Sequence, residues 1–245
     1  MMEKALDKET LARRCHDVSE NLKEIRERIA RAAEKSGRKP EDITLLAATK
    51  TVPPEVINHA IREGLTHIGE NKVQELCQKY DALELGDCHC EFIGHLQTNK
   101  VKQLIGKVDR IQSVDSVKLA KEISRLSQKE GLTTRVLIEI NIGGEESKSG
   151  VEPSQLLSLV EEIAQLPNIS VEGLMTIPPI RENIVETREF FSNMYQYFID
   201  IRAKKLDNVS MDFLSMGMSS DYELAIESGA NIVRIGSSIF GKRIY

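Results

Sequence analysis

The 245-residue chain has no tryptophan and few aromatic residues of any kind, 4% of the total. It also lacks a basic excess, because its formal net charge is -5. Proteins that bind nucleic acid generally need clustered Lys and Arg for the phosphates and aromatic rings for stacking on the bases. The composition therefore argues against nucleic acid as a partner.

The chain also lacks any apolar stretch near the roughly 18 residues that a membrane-spanning helix requires. Its first residues, Met1 to Lys4, lead into a charged helical segment, where a signal peptide would have an apolar core. The usual sequence signs of membrane insertion and of secretion are thus missing. We expect a soluble, cytoplasmic protein without a membrane partner.

Cysteine is scarce, with four residues in the whole chain. Cys88 and Cys90 flank His89, and this cluster suggests a metal site. However, no second pair at the spacing of a zinc site accompanies it, and Cys90 adjoins a predicted strand. We therefore expect no metal, and we expect reduced thiols, as is usual in the cytosol.

What the sequence does have is an alternation of apolar and helical segments, built from a 40% share of hydrophobic residues. Eight apolar runs are predicted as strands, at 43–50, 66–70, 91–96, 110–114, 135–142, 171–177, 211–216 and 232–239. The helical segments between them are 55–63, 72–83, 98–105, 117–130, 153–165, 184–204 and 220–227. This α/β alternation predicts a (β/α)8 TIM barrel in one domain over residues 1–245, with the barrel at about 43–245. An open, doubly wound sheet is the alternative.

An extra helix is predicted before the first strand, at about residues 10–36. Its apolar residues recur at spacings of four and three, which places them on one face, and Gly37 ends the segment. The residues of this stripe are Leu11, Cys15, Val18, Leu22, Ile25 and Ile29. The stripe could cover the bottom of the barrel or join two subunits.

The first predicted strand, residues 43–50, ends in a cation, Lys50. A continuous apolar run is typical of a buried parallel strand, and Pro53 and Pro54 suit the first turn of the helix that follows. Ligands of barrels bind where the strands end. A lysine against an apolar wall has its charged form disfavoured, so its amine becomes a nucleophile that can form a Schiff base with a carbonyl. The alternative is a lysine that only extends to water.

Polar residues follow the other predicted strands too, where a barrel would bring them to the same mouth. They are Glu70, Asn71, His95, Asp115, Asn141, Thr176, Gly217, Gly236 and Ser237.

Two turns that contain glycine and serine follow the last two strands, at residues 217–220 and 236–238. Barrels often hold a phosphate at this position. Glycine lets the backbone approach an anion closely, and free amides at the start of the next helix, here opened by a possible capping box from Ser220 to Glu223, point toward it. Either turn alone could be a helix cap, but their joint placement favours a phosphate cradle.

Arg234 interrupts the apolar eighth strand. A charge in such a strand must face the barrel mouth or pair with a carboxylate, for which Asp212 is the candidate. The lysine, the arginine and the cradle together fit a phosphorylated aromatic aldehyde, bound as an imine with the arginine facing the ring nitrogen. A lysine-imine aldolase that acts on a sugar phosphate fits the barrel and the cradle as well.

Ordered motifs run from about residue 15 to the end of the chain, at 46–51, 68–71 with 73–75, 92–100, 140–142 with 147–150, 173–178, 214–221 and 233–241. With them the chain resembles the pyridoxal phosphate homeostasis proteins, a single-domain family related to the barrel domain of alanine racemase. The resemblance implies that Lys50 is the lysine that binds pyridoxal 5′-phosphate (PLP) and that Asn71 lies beside this cofactor. It implies that Arg234 faces the pyridine nitrogen. It also implies a phosphate site formed by Ser219, Ser220, Gly236 and Ser237. Lys100 and Lys148 lie in motifs near the mouth, but we interpret them as surface lysines.

The resemblance leaves open whether the barrel carries its ligand or catalyses a reaction. Alanine racemase resembles this barrel but has a second domain and a second base, whereas this chain ends at Tyr245, six residues after the last predicted strand. We therefore expect a protein without catalytic residues that buffers PLP and delivers it to apo-enzymes. The alternative is an amino-acid racemase or a related PLP enzyme, with His95 or Tyr222 as its acid or base.

Overall fold

The computed structural model describes residues 7–145, 148–179 and 183–241, and within these ranges eight parallel strands close into a barrel. They pair in chain order, and the last strand pairs with the first, with Leu46 opposite Arg234. The TIM barrel prediction is confirmed, and the open sheet is wrong. Met1 to Lys4, the motif residue Ser147 and Tyr245 lie outside the described ranges. The strands are β1 (Thr44–Ala48), β2 (His67–Glu70), β3 (His89–Phe92), β4 (Arg110–Val114), β5 (Thr134–Ile140), β6 (Ile169–Thr176), β7 (Val209–Ser215) and β8 (Ile232–Ile235).

Helices alternate with the strands, as the sequence predicts. They are α1 (Lys8–Lys35), α2 (Pro54–Arg62), α3 (Val73–Lys79), α4 (Val117–Lys129), α5 (Leu156–Ala164), α6 (Ile184–Ala203), α7 (Tyr222–Glu227) and α8 (Ser237–Phe240). Short 3₁₀ helices lie at Pro40–Asp42, Tyr80–Ala82, Thr98–Gln103 and Pro153–Gln155. Among these described helices, none combines the length with the hydropathy that crossing a bilayer would require.

The connection between β3 and β4 is helical, but the helix is shorter than the predicted segment at 98–105. The chain forms a 3₁₀ helix at Thr98–Gln103. Val101 in this helix and Leu104, which caps its end, are both buried, and they lie three residues apart, which is the repeat of a 3₁₀ turn.

The extra N-terminal helix α1 is confirmed, and its apolar stripe packs against other helices of the same chain. It packs on α2, α7 and α8, and it buries Val18, Leu22, Ile25 and Ile29 against them. Up to residue 241, where the described part of the chain ends, the four-residue α8 is the only helix after β8, so α1 completes the outer ring of helices at that point. The apolar stripe is therefore covered within the chain.

The two faces of the sheet alternate along each strand. Ile68 and Val233 face outward into one large apolar cluster between the sheet and the helices. A separate small cluster inside the barrel is centred on Leu46, Ile93 and Ile232. A Cβ at Gly69 would lie 2.5 Å from Cδ2 of Leu46, so this glycine makes room for the interior cluster.

Candidate functional site

Lys50 lies in the turn that joins β1 to α2, two residues beyond the end of the strand. It is half-buried, whereas Thr49 before it is fully buried. The amide of Val52 donates to the carbonyl of Thr49 over 3.0 Å and closes the turn. Proline at position 54 then starts α2. The strand is thus shorter than predicted, and its end presents Lys50 at the barrel mouth.

The β8–α8 turn contacts the same end of β1. A Cβ at Gly236 would lie 3.2 Å from the carbonyl oxygen and 3.3 Å from Cβ of Ala48, two residues before Lys50. A side chain at this position would therefore crowd the strand end. The backbone of this turn and the lysine turn share one corner of the mouth.

The two predicted turns meet at Ser219. Its hydroxyl oxygen accepts from the amides of Gly236 and Ser238, both over 3.4 Å. These are long hydrogen bonds, so both amides can exchange this hydroxyl for a stronger acceptor. Two backbone amides and a hydroxyl at one point suit an anion such as a phosphate. Ser220 and Ser237 are exposed beside them.

The β7–α7 turn needs glycine at its start. Gly217 has a φ of 92°, and a Cβ there would lie 2.5 Å from Cβ of Ala225. The possible capping box from Ser220 to Glu223 is wrong, because α7 begins at Tyr222 after Asp221. Glu223 instead accepts from Arg28 of α1 over 2.6 Å, and the carboxylate of Asp221 accepts from the amide of Met218 over 2.6 Å.

Arg234 is buried inside the barrel, with 4% of its surface exposed. It donates to the hydroxyl of Ser215 over 2.6 Å and to the carbonyl of Thr176 over 2.8 Å. The prediction that Asp212 pairs with Arg234 is wrong, because Asp212 points outward, with Oδ1 4.0 Å from a guanidinium nitrogen of Arg202. Strand alternation explains this, since Asp212 lies an odd number of residues from the inward-facing Ser215.

Burial lowers the pKa of Arg234 to about 10, and the negative charges of Glu139 and Asp221 oppose this shift. At neutral pH the side chain therefore remains a cation. It can donate hydrogen bonds to a ligand, but it cannot accept them.

A chain of polar side chains continues from Arg234 through the barrel interior. The hydroxyl of Ser215 donates to Gln112 over 2.6 Å, and the amide of Gln112 donates to Glu91 over 2.7 Å. Arg110 donates to the other oxygen of Glu91 over 3.0 Å. The interior therefore holds Arg234 through a connected network, and the sequence patterns did not reveal it.

Glu139 is a site residue that the sequence reasoning missed. It lies on β5, is 6% exposed, and carries a pKa raised to about 7. Burial is the main cause, the nearby charge of Asp115 adds to it, and Arg234 opposes it. The available signal was a carboxylate inside the apolar run of β5, the same signal that pointed to Arg234 on β8.

Several residues predicted at the mouth have other roles. Glu70 faces outward, because strand alternation places it on the side of Ile68. The hydroxyl of Thr176 donates to the carbonyl of Ile140 over 2.7 Å. Asn141 holds the loop after β5 through the carbonyl of Glu145 at 2.9 Å. Each of these three side chains hydrogen-bonds to another part of the protein.

The two acid or base candidates also differ in position. Tyr222 is buried, and its ring lies 5.3 Å from the guanidinium carbon of Arg28 on α1. Tyr222 therefore faces the outer helices, and the prediction that it is an acid or base at the mouth is wrong. His95 is exposed at the rim, with Nδ1 3.0 Å from the hydroxyl of Ser149.

Asn71 directly follows Glu70, the last residue of β2. Its Oδ1 atom is buried and has no hydrogen-bond partner within the described parts of the chain. A Cβ at Gly94 would lie 2.0 Å from the carbonyl of Asn71, so the end of β3 approaches it closely. A buried oxygen that lacks a donor is expected where a ligand supplies one.

The cysteine cluster does not form a metal centre. In residues 7–145, 148–179 and 183–241, no group of three His, Cys, Asp or Glu side chains is placed to hold a metal ion. All four cysteines are free thiols, and burial raises the pKa of Cys88 to about 11.

The chain is similar over most of its length to proteins of one named family. The family model described as alanine racemase, N-terminal domain, matches residues 20–243. The pyridoxal phosphate homeostasis protein of Aquifex aeolicus is 49% identical over 94% of this chain and 100% of its own length. The protein of the same name from Haemophilus influenzae is 38% identical over 94% of this chain and 97% of its own.

Solved structures agree with these matches. PipY of Synechococcus elongatus, with PLP bound, has a TM-score of 0.79 at 28% identity and covers 91% of this chain and 100% of its own. A protein of Bifidobacterium adolescentis has a TM-score of 0.88 at 35% identity, covering 97% of this chain and 98% of its own. Alanine racemase of Corynebacterium glutamicum has a TM-score of 0.71 at 16% identity and covers 94% of this chain and 62% of its own, which is a likeness of fold.

Proposed function

Because the chain belongs to the pyridoxal phosphate homeostasis protein family, we propose that it binds PLP through Lys50 and takes part in keeping and delivering this cofactor. One observation carries the proposal: the lysine turn after β1 and the amides of Gly236 and Ser238 share one corner of the barrel mouth. The relatives named above support it, since one of the similar structures contains PLP.

The phosphate site consists of Ser219, Ser220, Gly236 and Ser237, together with the amide of Ser238. Ser219 and the two amides already converge, and the exposed hydroxyls of Ser220 and Ser237 lie beside them. Charge-assisted hydrogen bonds to such groups are stronger than neutral ones. This corner retains the ligand by its phosphate, while Asn71, after the strand next to β1, offers its unpartnered oxygen to the bound ring.

Lys50 supplies the covalent contact. Its amine adds to the aldehyde carbon, a water molecule leaves, and a C=N bond forms, so the step needs no oxidant or reductant. Bound in this way, PLP would act as an electron sink for an attached amino acid. The position of Lys50 in the turn keeps the bond accessible for exchange with other amines, as delivery requires.

Arg234 supports a carrier rather than an enzyme. PLP chemistry gains most when the ring nitrogen is protonated, and enzymes commonly achieve this with an acidic partner. Arg234 stays cationic at neutral pH and can only donate, so it favours the unprotonated nitrogen. The relatives are named as homeostasis proteins. We therefore propose that turnover of amino acids is slow and that apo PLP-dependent enzymes in the cytoplasm receive the ligand.

Glu139 favours the alternative of a PLP-dependent racemase. Its pKa of about 7 suits a general acid or base, and it lies close enough to Arg234 for their charges to interact. Racemisation and transamination of alanine and other common amino acids should be measured with the loaded protein. We expect rates far below about 1 per second, an ordinary enzyme rate. Turnover at that rate, lost in Glu139→Gln, would show that the protein is an enzyme.

The binding proposal is tested by a visible absorption spectrum. The purified protein incubated with PLP and then freed of unbound ligand should be yellow. A colourless protein would contradict PLP binding and would favour an aldolase that acts on a sugar phosphate.

A further inference from the structure

A buried ion cluster lies directly behind Lys50, on the outer face of β2. It consists of Glu70 at the end of β2 and of Glu75 and Lys79 on α3. The ammonium of Lys79 lies 2.9 Å from Glu70 and 2.5 Å from Glu75. Glu70 and Lys79 are 1% and 7% exposed, so the cluster is withdrawn from water. We call it the Lys79 cluster.

The Lys79 cluster holds the backbone on both sides of Lys50. Before it, the ammonium of Lys79 donates to the carbonyl of Thr49 over 2.9 Å, and the hydroxyl of Thr49 donates to Glu70 over 2.8 Å. After it, the amide of Thr51 donates to Glu75. Lys50 thus lies between two residues of the turn that the cluster holds, Thr49 by Glu70 and Lys79 and Thr51 by Glu75.

The conformation of Thr51 shows why such support is needed. Its φ is 62°, in the left-handed region that a β-branched residue seldom adopts. A strained residue persists only where its surroundings hold it in place, and such residues are concentrated at functional sites. The contact from Thr51 to Glu75 is one that holds it. Without this contact the turn would be expected to relax and to carry Lys50 with it.

The cluster is not arranged for stability alone. Burying ions costs free energy that their attraction often fails to repay, and apolar residues of similar size frequently stabilise more. The second oxygen of Glu70 is buried without a hydrogen-bond partner among the described residues, and burial raises the pKa of this carboxyl group. These ions hydrogen-bond to the carbonyl of Thr49 and to the amide of Thr51. Apolar side chains could not make these directional contacts.

We propose that Glu70, Glu75 and Lys79 are positioning residues that fix the turn of Lys50, so that its amine is presented to the aldehyde of the ligand. This inference rests on the proposed function. None of the three touches the ligand, because they act through Thr49 and Thr51. Small displacements of a reacting group can slow a reaction by about 100-fold, so the expected effect is on the rate of imine formation.

The test compares two ligands in rapid-mixing experiments. PLP reports on Lys50 through the visible absorbance of the imine, whereas pyridoxine 5′-phosphate has an alcohol in place of the aldehyde and binds without Lys50. In Lys79→Met and Glu75→Ala we expect imine formation to slow at least about tenfold. Affinity for pyridoxine 5′-phosphate, measured by calorimetry, should stay within about twofold, because the phosphate corner is untouched.

Two further variants separate positioning from charge. Glu75→Gln keeps an oxygen that can accept from Thr51, so it should recover most of the rate lost in Glu75→Ala. Glu84→Ala removes a carboxylate from an exposed pair with Arg62 and should react like the parent. If Lys79→Met does not fold, the comparison of Glu75→Ala with Glu75→Gln still tests the inference.

Unchanged rates in Glu75→Ala would overturn the inference. An equal loss of affinity for both ligands would also overturn it, because the cluster would then support the fold and not the lysine. A parent protein that forms no imine with PLP would overturn the proposed function and this inference with it. If the parent forms the imine with PLP and the variants form it at the same rate, this inference is overturned and the proposed function is not.

Discussion

The outer and inner faces of the barrel sheet have opposite chemistry. Outward side chains such as Ile68 and Leu174 join one continuous apolar cluster with the helices. On the inner face the apolar residues form a small group around Leu46, and the rest of the space is taken by the polar chain that ends at Arg234. The outer face therefore supplies most of the stability, and the inner face supplies the orientation of the site.

The largest effect is expected at the mouth of the barrel, where one substitution should remove covalent binding without loss of stability. Lys50→Ala should abolish covalent trapping of PLP by borohydride, while the fold stays intact because Lys50 lies in a turn and not in a packed layer. Mass spectrometry of the reduced protein and its circular dichroism measure the two properties. Lys129→Ala, at the exposed end of α4, is the control. Undiminished trapping in Lys50→Ala would assign the bond to another lysine.

The outer face should show the reverse behaviour. Leu174 is fully buried, so Leu174→Ala should lower the free energy of unfolding by about 2 to 5 kcal/mol. PLP affinity of the folded protein should change less than about twofold. The matched control is Leu132→Ala, since Leu132 is 41% exposed and its loss should cost within about 0.5 kcal/mol. A large loss of affinity with little loss of stability would contradict the division.

Glu139, on the inner face, should make the free energy of unfolding depend on pH. Its pKa is raised from 4.5 to about 7, so between these values the folded protein binds more protons than the unfolded chain. The free energy of unfolding therefore falls as pH rises through this window. Relative to Glu139→Gln, the parent should lose about 3 kcal/mol from pH 4.5 to pH 7. Parallel curves for the two proteins, measured by urea unfolding, would show that the pKa of Glu139 is not raised.

The last test concerns the phosphate corner. Pyridoxal without its phosphate should bind at least tens of fold more weakly than PLP, because charge-assisted contacts are each worth about 1.5 to 3 kcal/mol. Ser219→Ala should narrow this difference, since Ser219 holds both amides. Calorimetric titrations with the two ligands measure it. Equal affinities for pyridoxal and PLP would contradict the proposed phosphate site.

Much of the fold was predictable from local patterns. The apolar runs located all eight strands, and the positions of Gly217 and Gly236 located the two turns at the mouth. The position of Lys50 just after the first strand was also predictable from the apolar run that precedes it, whereas its role as the PLP lysine stays a prediction. The boundaries were less accurate, and the helix at 98–105 is a 3₁₀ helix, because two buried anchors three residues apart do not require a longer helix.

The partners of the charged residues were not predictable in the same way. Asp212 was a reasonable partner for Arg234 by proximity, yet it points outward, and Ser215 takes that place. Glu70 was expected at the mouth but faces Lys79. In each case a shift of one residue along a strand reverses the face that a side chain meets.

By itself the sequence determined the strand and helix order, the barrel, and the position of Lys50 at a strand end, because periodicity and turn residues act over a few neighbours. Only the tertiary structure decided which side chains hold Arg234, that Glu139 shares its interior, and that the Lys79 cluster supports Thr49 and Thr51. The contacts of Arg234, Thr49 and Thr51 join residues from 19 to 58 apart in the chain. The register between strands sets them, and that register arises from packing around the whole barrel.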